Sequence, residues 1–341
     1  MRKPALLLFA IATALTGCAA PPAPPPPPPP AAPQPLPPPA EPEQAPAQTA
    51  ATGDLSLPAG APEGAVVEPG SRTLVVALRE PGRLAMVDLD TRRVDVVPAP
   101  GAARHLVTGR PGEVLVLGEN TGRVARVAVP SGQVLGEVPV GPQPHDAAQV
   151  GETVFVSNEM GGSVGVVRDG RMVRELPGLA QPGGLTATGG RIAAVDVRGN
   201  RLHVFDASTL REVAVLPAGL GPSHVRPIGE GRVAVADTRG HAVLTFSITG
   251  RPRQLGAAPL PGRAYGLATD PARGRAYATS ANTNQLAVLD IRPDGTPAAP
   301  RLLPAVQQPN DVAVDPRNGD VWVVGTARAE LQVLPAARLS G

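Results

Sequence analysis

Histidine and acidic residues recur at one position of a repeating pattern in this sequence. His105, His145 and His224 occupy that position in three repeats, and Glu63 occupies it in a fourth. Imidazole nitrogens and carboxylate oxygens are ligands that zinc and iron accept, so this set could hold a divalent metal ion. If the repeats close into a ring, the fifth repeat, which carries His224, lies opposite the first three. We therefore expect the distance from His224 to the other residues to be too great for them to share one ion. We therefore favour a structural role, in which the rings fill a channel and donate to backbone carbonyls.

The repeat that positions these residues predicts a β-propeller. From Asp54 onward, short runs of Val, Ala and Leu alternate with Gly, Pro, Asn and Asp, a pattern typical of strands and turns. The equivalent residues of the seven units are separated by 42, 40, 38, 41, 41 and 45 residues: Glu63, His105, His145, Gly183, His224, Tyr265 and Asn310. Four strands with such a period are typical of propeller blades, which bury their apolar faces by stacking. We expect a core of Val, Leu and Ala.

The last repeat ends without a predicted fourth strand. Residues 54–60 read DLSLPAG and closely match VAVLPAG at 213–219, which ends the fourth unit. We therefore predict that an N-terminal strand completes the last blade and removes an exposed sheet edge. The predicted fold is an all-β, seven-bladed propeller over residues 54–341.

Two sets of loops are expected to meet at one end of the central channel, which we call the mouth. The loops that enter the innermost strands supply Glu63, His105, His145, Asp146, His224, Tyr265, Asn310 and Asp311. The turns between the second and third strands supply Glu119, Asn120, Asn158, Glu159, Asp196, Asp237 and Asn282. We assign the first set as the candidate binding site. The Asn and Asp residues of the turns also have a structural interpretation, because such side chains cap their own turns.

The N-terminus carries the features of an export signal. Two basic residues precede an apolar run that is shorter than the roughly 20 residues needed to cross a bilayer, so residues 1–17 are predicted to be a cleaved signal peptide. The motif Leu15-Thr16-Gly17-Cys18 resembles the lipobox of bacterial lipoproteins and contains the only cysteine of the chain. This resemblance implies that Cys18 is lipidated. The protein is then expected to be exported and anchored to the outer face of the cell membrane, or to the outer membrane in a Gram-negative cell.

Residues 18–53 are predicted to form a disordered tether. Residues 19–53 contain 16 prolines and no aromatic residue, so they cannot bury a core and favour extended polyproline II. The formal net charge of the whole chain is only +2. Since no basic stripe with interleaved aromatic residues occurs, we do not expect nucleic-acid binding.

The repeats resemble those of the YVTN-type and lactonase-like seven-bladed propellers. The likeness is best in GPQPH at 141–145 and PNDVAVDP at 309–316, and it implies an architecture more than an activity. The WD-repeat families fit worse, because no Trp-Asp dipeptide occurs. We predict a monomeric, non-catalytic binding module with no required cofactor, whose mouth engages a small molecule, a peptide or an envelope protein. The alternative is a metal-dependent, lactonase-like hydrolase or lyase.

Overall fold

Seven four-stranded antiparallel sheets make up most of the chain that the structure describes. A computed structural model describes residues 40–47 and 50–339, so Cys18, the predicted signal peptide and most of the predicted tether lie outside the described residues. Each sheet joins strands that are consecutive in sequence, except in the seventh. The predicted class, an all-β propeller with seven blades, is confirmed. None of the helices within these two ranges is long and apolar enough to cross a membrane.

The blades follow one another along the chain, and each runs from an inner to an outer strand. The innermost strands are β2 (Pro62–Glu68), β6 (Leu106–Thr108), β10 (Pro144–Val150), β14 (Pro182–Thr188), β18 (Pro222–Gly229), β22 (Ala264–Asp270) and β26 (Pro309–Val314). The second strands are β3 (Thr73–Leu78), β7 (Glu113–Gly118), β11 (Thr153–Asn158), β15 (Arg191–Asp196), β19 (Arg232–Asp237), β23 (Arg275–Ser280) and β27 (Val321–Gly325).

The outer half of each blade is made by two further strands. The third strands are β4 (Arg83–Asp88), β8 (Arg123–Ala128), β12 (Ser163–Arg168), β16 (Arg201–Asp206), β20 (Ala242–Ser247), β24 (Gln285–Asp290) and β28 (Glu330–Leu334). The outermost strands are β1 (Leu55–Ser56), β5 (Val94–Pro98), β9 (Val134–Pro139), β13 (Arg171–Pro177), β17 (Glu212–Pro217), β21 (Arg253–Pro259) and β25 (Arg301–Pro304). Short 3-10 turns occur at Glu159–Gly161, Pro271–Arg273 and Ala281–Thr283, and a single α-helical turn, α1, spans Ala336–Leu339.

The N-terminal strand closes the ring of blades. β1 pairs antiparallel with β28, with Leu55 opposite Leu331, so the order of the seventh sheet is β1, β28, β27 and β26. Leu57, which follows β1, is 6 % exposed and packs in one cluster with Leu331 and Trp322. The predicted completion of the last blade is therefore confirmed.

The core lies between neighbouring blades. Side chains of the second and third strands face the next sheet, and β3 is buried along its whole length. Between blades four and five, for example, the cluster contains Leu202, Val204, Val233 and Val235, all 0 % exposed. The expected core of Val, Leu and Ala is present, with a few aromatic rings such as Phe246 among them.

The end of the predicted tether differs from the expectation of disorder. Of residues 18–53, the described residues 40–47 and 50–53 lie against the propeller. The backbone N–H of Ala51 donates to the carbonyl of Ala305 at 2.7 Å, and that of Gly53 donates to Glu330 at 3.0 Å. Composition alone predicted disorder here, because a proline-rich segment has no apolar surface to bury. Polar contacts with the blades hold this part instead.

Candidate functional site

Three histidine rings meet at the mouth. The ring centroids of His105 and His145 are 4.5 Å apart, and those of His105 and His224 are 4.7 Å apart. The Nε2 atoms of His105 and His224 are separated by 3.3 Å. The expectation that His224 would lie too far from the others was wrong, since the channel is narrow at this level.

Glycines make the mouth narrow. A Cβ placed on Gly64 would lie 2.2 Å from the carbonyl oxygen of Arg104, and one on Gly184 would lie 2.7 Å from the Cα of His224. These glycines come directly after the repeat position in blades one and four, where innermost strands of neighbouring blades approach backbone to backbone. Only glycine permits such an approach. The close spacing of the blades brings the histidine rings within contact distance across the channel axis.

His105 and His224 are neutral imidazoles. Burial, followed by the charge of His145, lowers the pKa of His105 well below its ordinary value, and burial and Arg226 do the same for His224. The Nδ1 atom of His105 has no hydrogen-bond partner among the described residues, while that of His224 lies 3.1 Å from the hydroxyl of Ser223. Neutral rings with facing nitrogens can share one N–H···N hydrogen bond.

His145 sits between two carboxylates. Its Nδ1 lies 3.2 Å from Glu119 and 3.5 Å from Glu159. Burial alone would lower the pKa of His145, but the Glu119 hydrogen bond and the Glu159 charge outweigh burial and raise it. Glu159 also accepts hydrogen bonds from Gln143 at 2.8 Å and from Gln181 at 2.6 Å. The arrangement favours a protonated imidazole held by two anions.

Glu63 belongs to a neighbouring ion-pair network. Its carboxylate lies 3.0 Å from Arg79 and 3.5 Å from Arg104, and Glu119 joins the same two guanidinium groups at 3.4 and 3.7 Å. Burial raises the pKa of Glu63 despite the two arginines. Counted formally, three carboxylates and three cations balance beneath the mouth: Glu63, Glu119, Glu159, Arg79, Arg104 and His145.

The donor set that fits a metal ion differs from the predicted one. Ligand atoms of Glu119, His145 and Glu159 all lie within 4.8 Å of one another. Glu63, which the sequence grouped with the histidines, is instead paired with arginines. Two carboxylates and one imidazole suit a divalent cation, which would have to replace the proton on His145. Glu119 and Glu159 could have been grouped with His145 from the sequence, because both stand in the turns already assigned to the mouth.

Two predicted mouth residues lie deeper in the channel. Asp146 is fully buried, and its carboxylate accepts from the N–H of Leu185 at 3.0 Å and from Arg226 at 2.8 Å. Asp311 accepts from the N–H of Ala65 at 2.8 Å. Each aspartate thus bonds the innermost strand of the next blade just after its glycine, and neither reaches the mouth.

The other predicted residues divide between lining and turn capping. Tyr265 lies at the mouth with its ring against His224, at a centroid distance of 4.9 Å, and Asn310 accepts from Gln308 at 3.3 Å. Asp196 and Asp237 cap their own turns as predicted, accepting at 3.0 Å from the N–H groups of Gly199 and Gly240. Four turn residues also bond the loop that enters the same blade: Asn120 to Ala102, Asn158 to Val140, Asp196 to Ala180 and Gln181, and Asp237 to Leu220 and Gly221. Asn282 accepts from the N–H of Arg263 in its own blade at 3.0 Å and donates to Glu43 at 3.4 Å.

Residues 40–46 cover the mouth. Ala40 is 7 % exposed, and with Glu41, His145, His224 and Tyr265 it lines a cavity of only about 20 Å³. That volume holds about one water molecule. A substrate could therefore reach the histidines only after this segment moves. No local pattern in the sequence predicts this cover, because it depends on polar contacts between distant parts of the chain.

The mouth face also carries exposed apolar side chains. Met160, in the turn between β11 and β12, is 65 % exposed, and Leu220, in the loop before β18, is 63 % exposed. They are the two most exposed large hydrophobic residues among those described. The opposite end of the channel is open and holds a cavity of about 790 Å³, at whose wall Asp311 and Arg226 lie.

Fold and site together define a seven-bladed β-propeller with a charged, covered channel mouth. No protein-family model and no curated protein sequence matches the chain. Among solved structures, the WD40 repeats of RRP9 superpose with a TM-score of 0.71 at 14 % identity, covering 86 % of this chain and 99 % of that chain.

Two lyase propellers are also similar. A streptogramin B lyase gives a TM-score of 0.68 at 16 % identity, covering 81 % of this chain and 94 % of that chain. The virginiamycin B lyase of Staphylococcus aureus gives 0.67 at 14 % identity, covering 81 % and 96 %. At these identities the likeness concerns the fold alone, and it spans both WD40 repeats and lyases.

Proposed function

We propose that this protein is a lipoprotein anchored in the cell envelope through Cys18, whose propeller is a non-catalytic binding module that engages its partner at the mouth face. One observation carries the binding role. The mouth face carries two exposed apolar side chains, Met160 and Leu220, and its guanidinium groups of Arg104 and Arg263 already hold a segment of chain through Glu41 and Glu43. Exposed apolar groups beside polar ones are typical of interaction surfaces.

The charged groups beneath the mouth support binding over catalysis. The carboxylates of Glu119 and Glu159 are matched by His145 and by nearby arginines or glutamines, so few are left to act on a substrate. The two neutral rings, His105 and His224, face each other. A network whose members satisfy one another rigidifies the channel end and keeps the surface above it in place.

Photo-crosslinking in cells tests the binding role. With a photoreactive amino acid at Met160, we expect an adduct with a partner, because that side chain is 65 % exposed on the mouth face. The same group at Val213, 45 % exposed on the outermost strand β17, is the matched control and should give none. The Cys18→Ser chain should leave the membrane fraction and lose the adduct. Absence of adducts at both Met160 and Leu220 would contradict the proposal.

A metal-dependent hydrolase or lyase is the second candidate. The observation in its favour is the set of Glu119, His145 and Glu159, whose ligand atoms lie within 4.8 Å of one another. A cation there would act as a Lewis acid, with the neutral rings of His105 and His224 nearby.

Elemental analysis separates the two candidates. We expect the purified chain, kept from chelators and metal-affinity resins, to carry no stoichiometric zinc, iron or calcium, because a proton on His145 already balances the carboxylates. One metal ion per chain that disappears in His145→Ala would refute the binding-module proposal and favour the enzyme.

A further inference from the structure

The segment across the mouth is held through its main chain. Residues 41–46 read EPEQAP and have no regular secondary structure. The side-chain amide of Gln308 donates to the carbonyl of Glu43 at 2.9 Å and accepts from the N–H of Ala45 at 2.9 Å. Asn284 donates to the carbonyl of Pro46 at 2.6 Å. This one side-chain amide bonds the two peptide units that flank Gln44, and such bonds recognise the backbone whatever its side chains are.

The acidic side chains of the same segment are also matched. Both oxygens of Glu41 lie 3.2 Å from Nη1 of Arg104, which is only 15 % exposed. Glu43 pairs with Arg263 at 2.6 Å and accepts from Asn282 at 3.4 Å. The mouth therefore places two arginines to receive carboxylates that are two residues apart on an extended chain.

We infer that the mouth is a receptor for an extended, acidic, proline-containing peptide, and that residues 41–46 occupy it as an intramolecular ligand. The inference rests on the proposed binding role of this face and names the chemistry of what it binds. Prolines at positions 42 and 46 keep the segment extended before it binds, so little conformational entropy is lost on docking. Contacts with blades two, six and seven make the segment a strap across the channel.

The short connection to the propeller keeps this ligand in place. Only residues 47–54 separate the segment from β1, and a short link gives an effective concentration in the millimolar range. A partner peptide of the same chemistry must compete with that concentration. Binding in trans is therefore weak while residues 41–46 are docked, and it strengthens when they leave.

Peptide binding to an emptied mouth tests this inference. The probe is a fluorescein-labelled peptide with the sequence of residues 40–47, AEPEQAPA, followed by anisotropy. The proteins are the mature chain from residue 18 with Cys18→Ser, and the same chain with residues 41–46 replaced by alternating glycine and serine. Melting curves and far-UV circular dichroism verify that each variant is folded.

We expect the glycine–serine chain to bind the probe at least about tenfold more tightly than the intact chain does, since the tethered competitor is gone. Adding Gln308→Glu, which removes the amide donor at constant size, should abolish that binding, and a probe with both glutamates changed to glutamine should bind more weakly. Equal binding to both chains, no binding to the emptied one, or binding that survives Gln308→Glu would overturn the inference. A dimer of the intact chain that dissociates in the glycine–serine chain would assign the segment to a second copy and overturn the intramolecular arrangement.

The outcome is separable from that of the proposed function. If Met160 crosslinks to a partner while the emptied mouth ignores the probe, the binding role stands and the peptide chemistry is wrong. If the probe binds while no adduct forms in cells, the receptor chemistry stands and the proposed role in the envelope fails.

Discussion

Replacing Asp146 by Ala should lower the free energy of unfolding by about 3–5 kcal/mol, the usual cost of removing one member of a buried ion pair. Asp146 is 0 % exposed and connects three blades. Its carboxylate accepts from Ala147 within its own strand, from Leu185 of the next blade and from Arg226 of the blade after that. The substitution leaves two buried backbone N–H groups without their acceptor, and Arg226, whose side chain is 23 % exposed, loses its carboxylate partner.

Urea denaturation measures this effect, and two variants define it. Asp95→Ala removes an exposed carboxylate that pairs with Arg93, and it should leave the unfolding midpoint unchanged. The double change of Asp146→Ala with Arg226→Met should recover part of the loss, because no partly buried cation then lacks its carboxylate partner. If Asp146→Ala unfolds at the midpoint of the unchanged protein, the carboxylate does not hold the blades together.

Replacing Asp311 by Asn should stabilise the protein at alkaline pH and not at acidic pH. Burial, only partly opposed by the hydrogen bond from Ala65, raises the pKa of Asp311 from 3.8 to about 7. The folded chain therefore keeps this proton up to about pH 7, whereas the unfolded chain releases it near pH 4. The favourable contribution is fully present below pH 4 and is lost as the pH rises to about 7.

The size of the pH effect follows from the difference in pKa. A shift of about three units corresponds to about 4 kcal/mol at most, at about 1.4 kcal/mol per unit. Asn cannot ionise and still accepts from the N–H of Ala65. The stability of Asp311→Asn relative to the unchanged protein should therefore grow by up to that amount between pH 4 and pH 8. His145 and the other titrating groups are present in both proteins, so their contributions cancel in the difference between the two free energies of unfolding. A difference that is constant with pH would refute the assignment.

Asp146 and Asp311 show why the sequence analysis assigned too many residues to the mouth. Asp146 and Asp311 each follow a repeat residue by one position, so the repeat placed them beside the histidines. In a strand, successive side chains point to opposite faces. Their carboxylates consequently bond the neighbouring blades, Leu185 and Ala65 respectively, while the preceding residues reach the mouth.

The covered mouth joins the two proposals. A face that holds residues 41–46 by one amide and two arginines is equipped to recognise a chain, and the cavity of about 20 Å³ beneath it leaves no room for a substrate. The metal-binding alternative needs the same segment to leave and the proton on His145 to be replaced. Elemental analysis and peptide competition therefore test the same surface, the first for a metal ion and the second for a peptide ligand.

The sequence by itself determined the blades. Periods near 40 residues, alternating apolar runs and the match between residues 54–60 and 213–219 fixed the number of blades and the closing strand, because these features depend on neighbours along the chain. The tertiary structure alone decided the site. His224 contacts His105 because Gly64 and Gly184 let the backbones of neighbouring blades approach closely, which makes the channel narrow. The radius of the channel depends on how all seven blades pack, so no single repeat predicts it. The strap over the mouth likewise depends on contacts between positions more than 200 residues apart, such as Ala45 and Gln308, which local pattern cannot reveal.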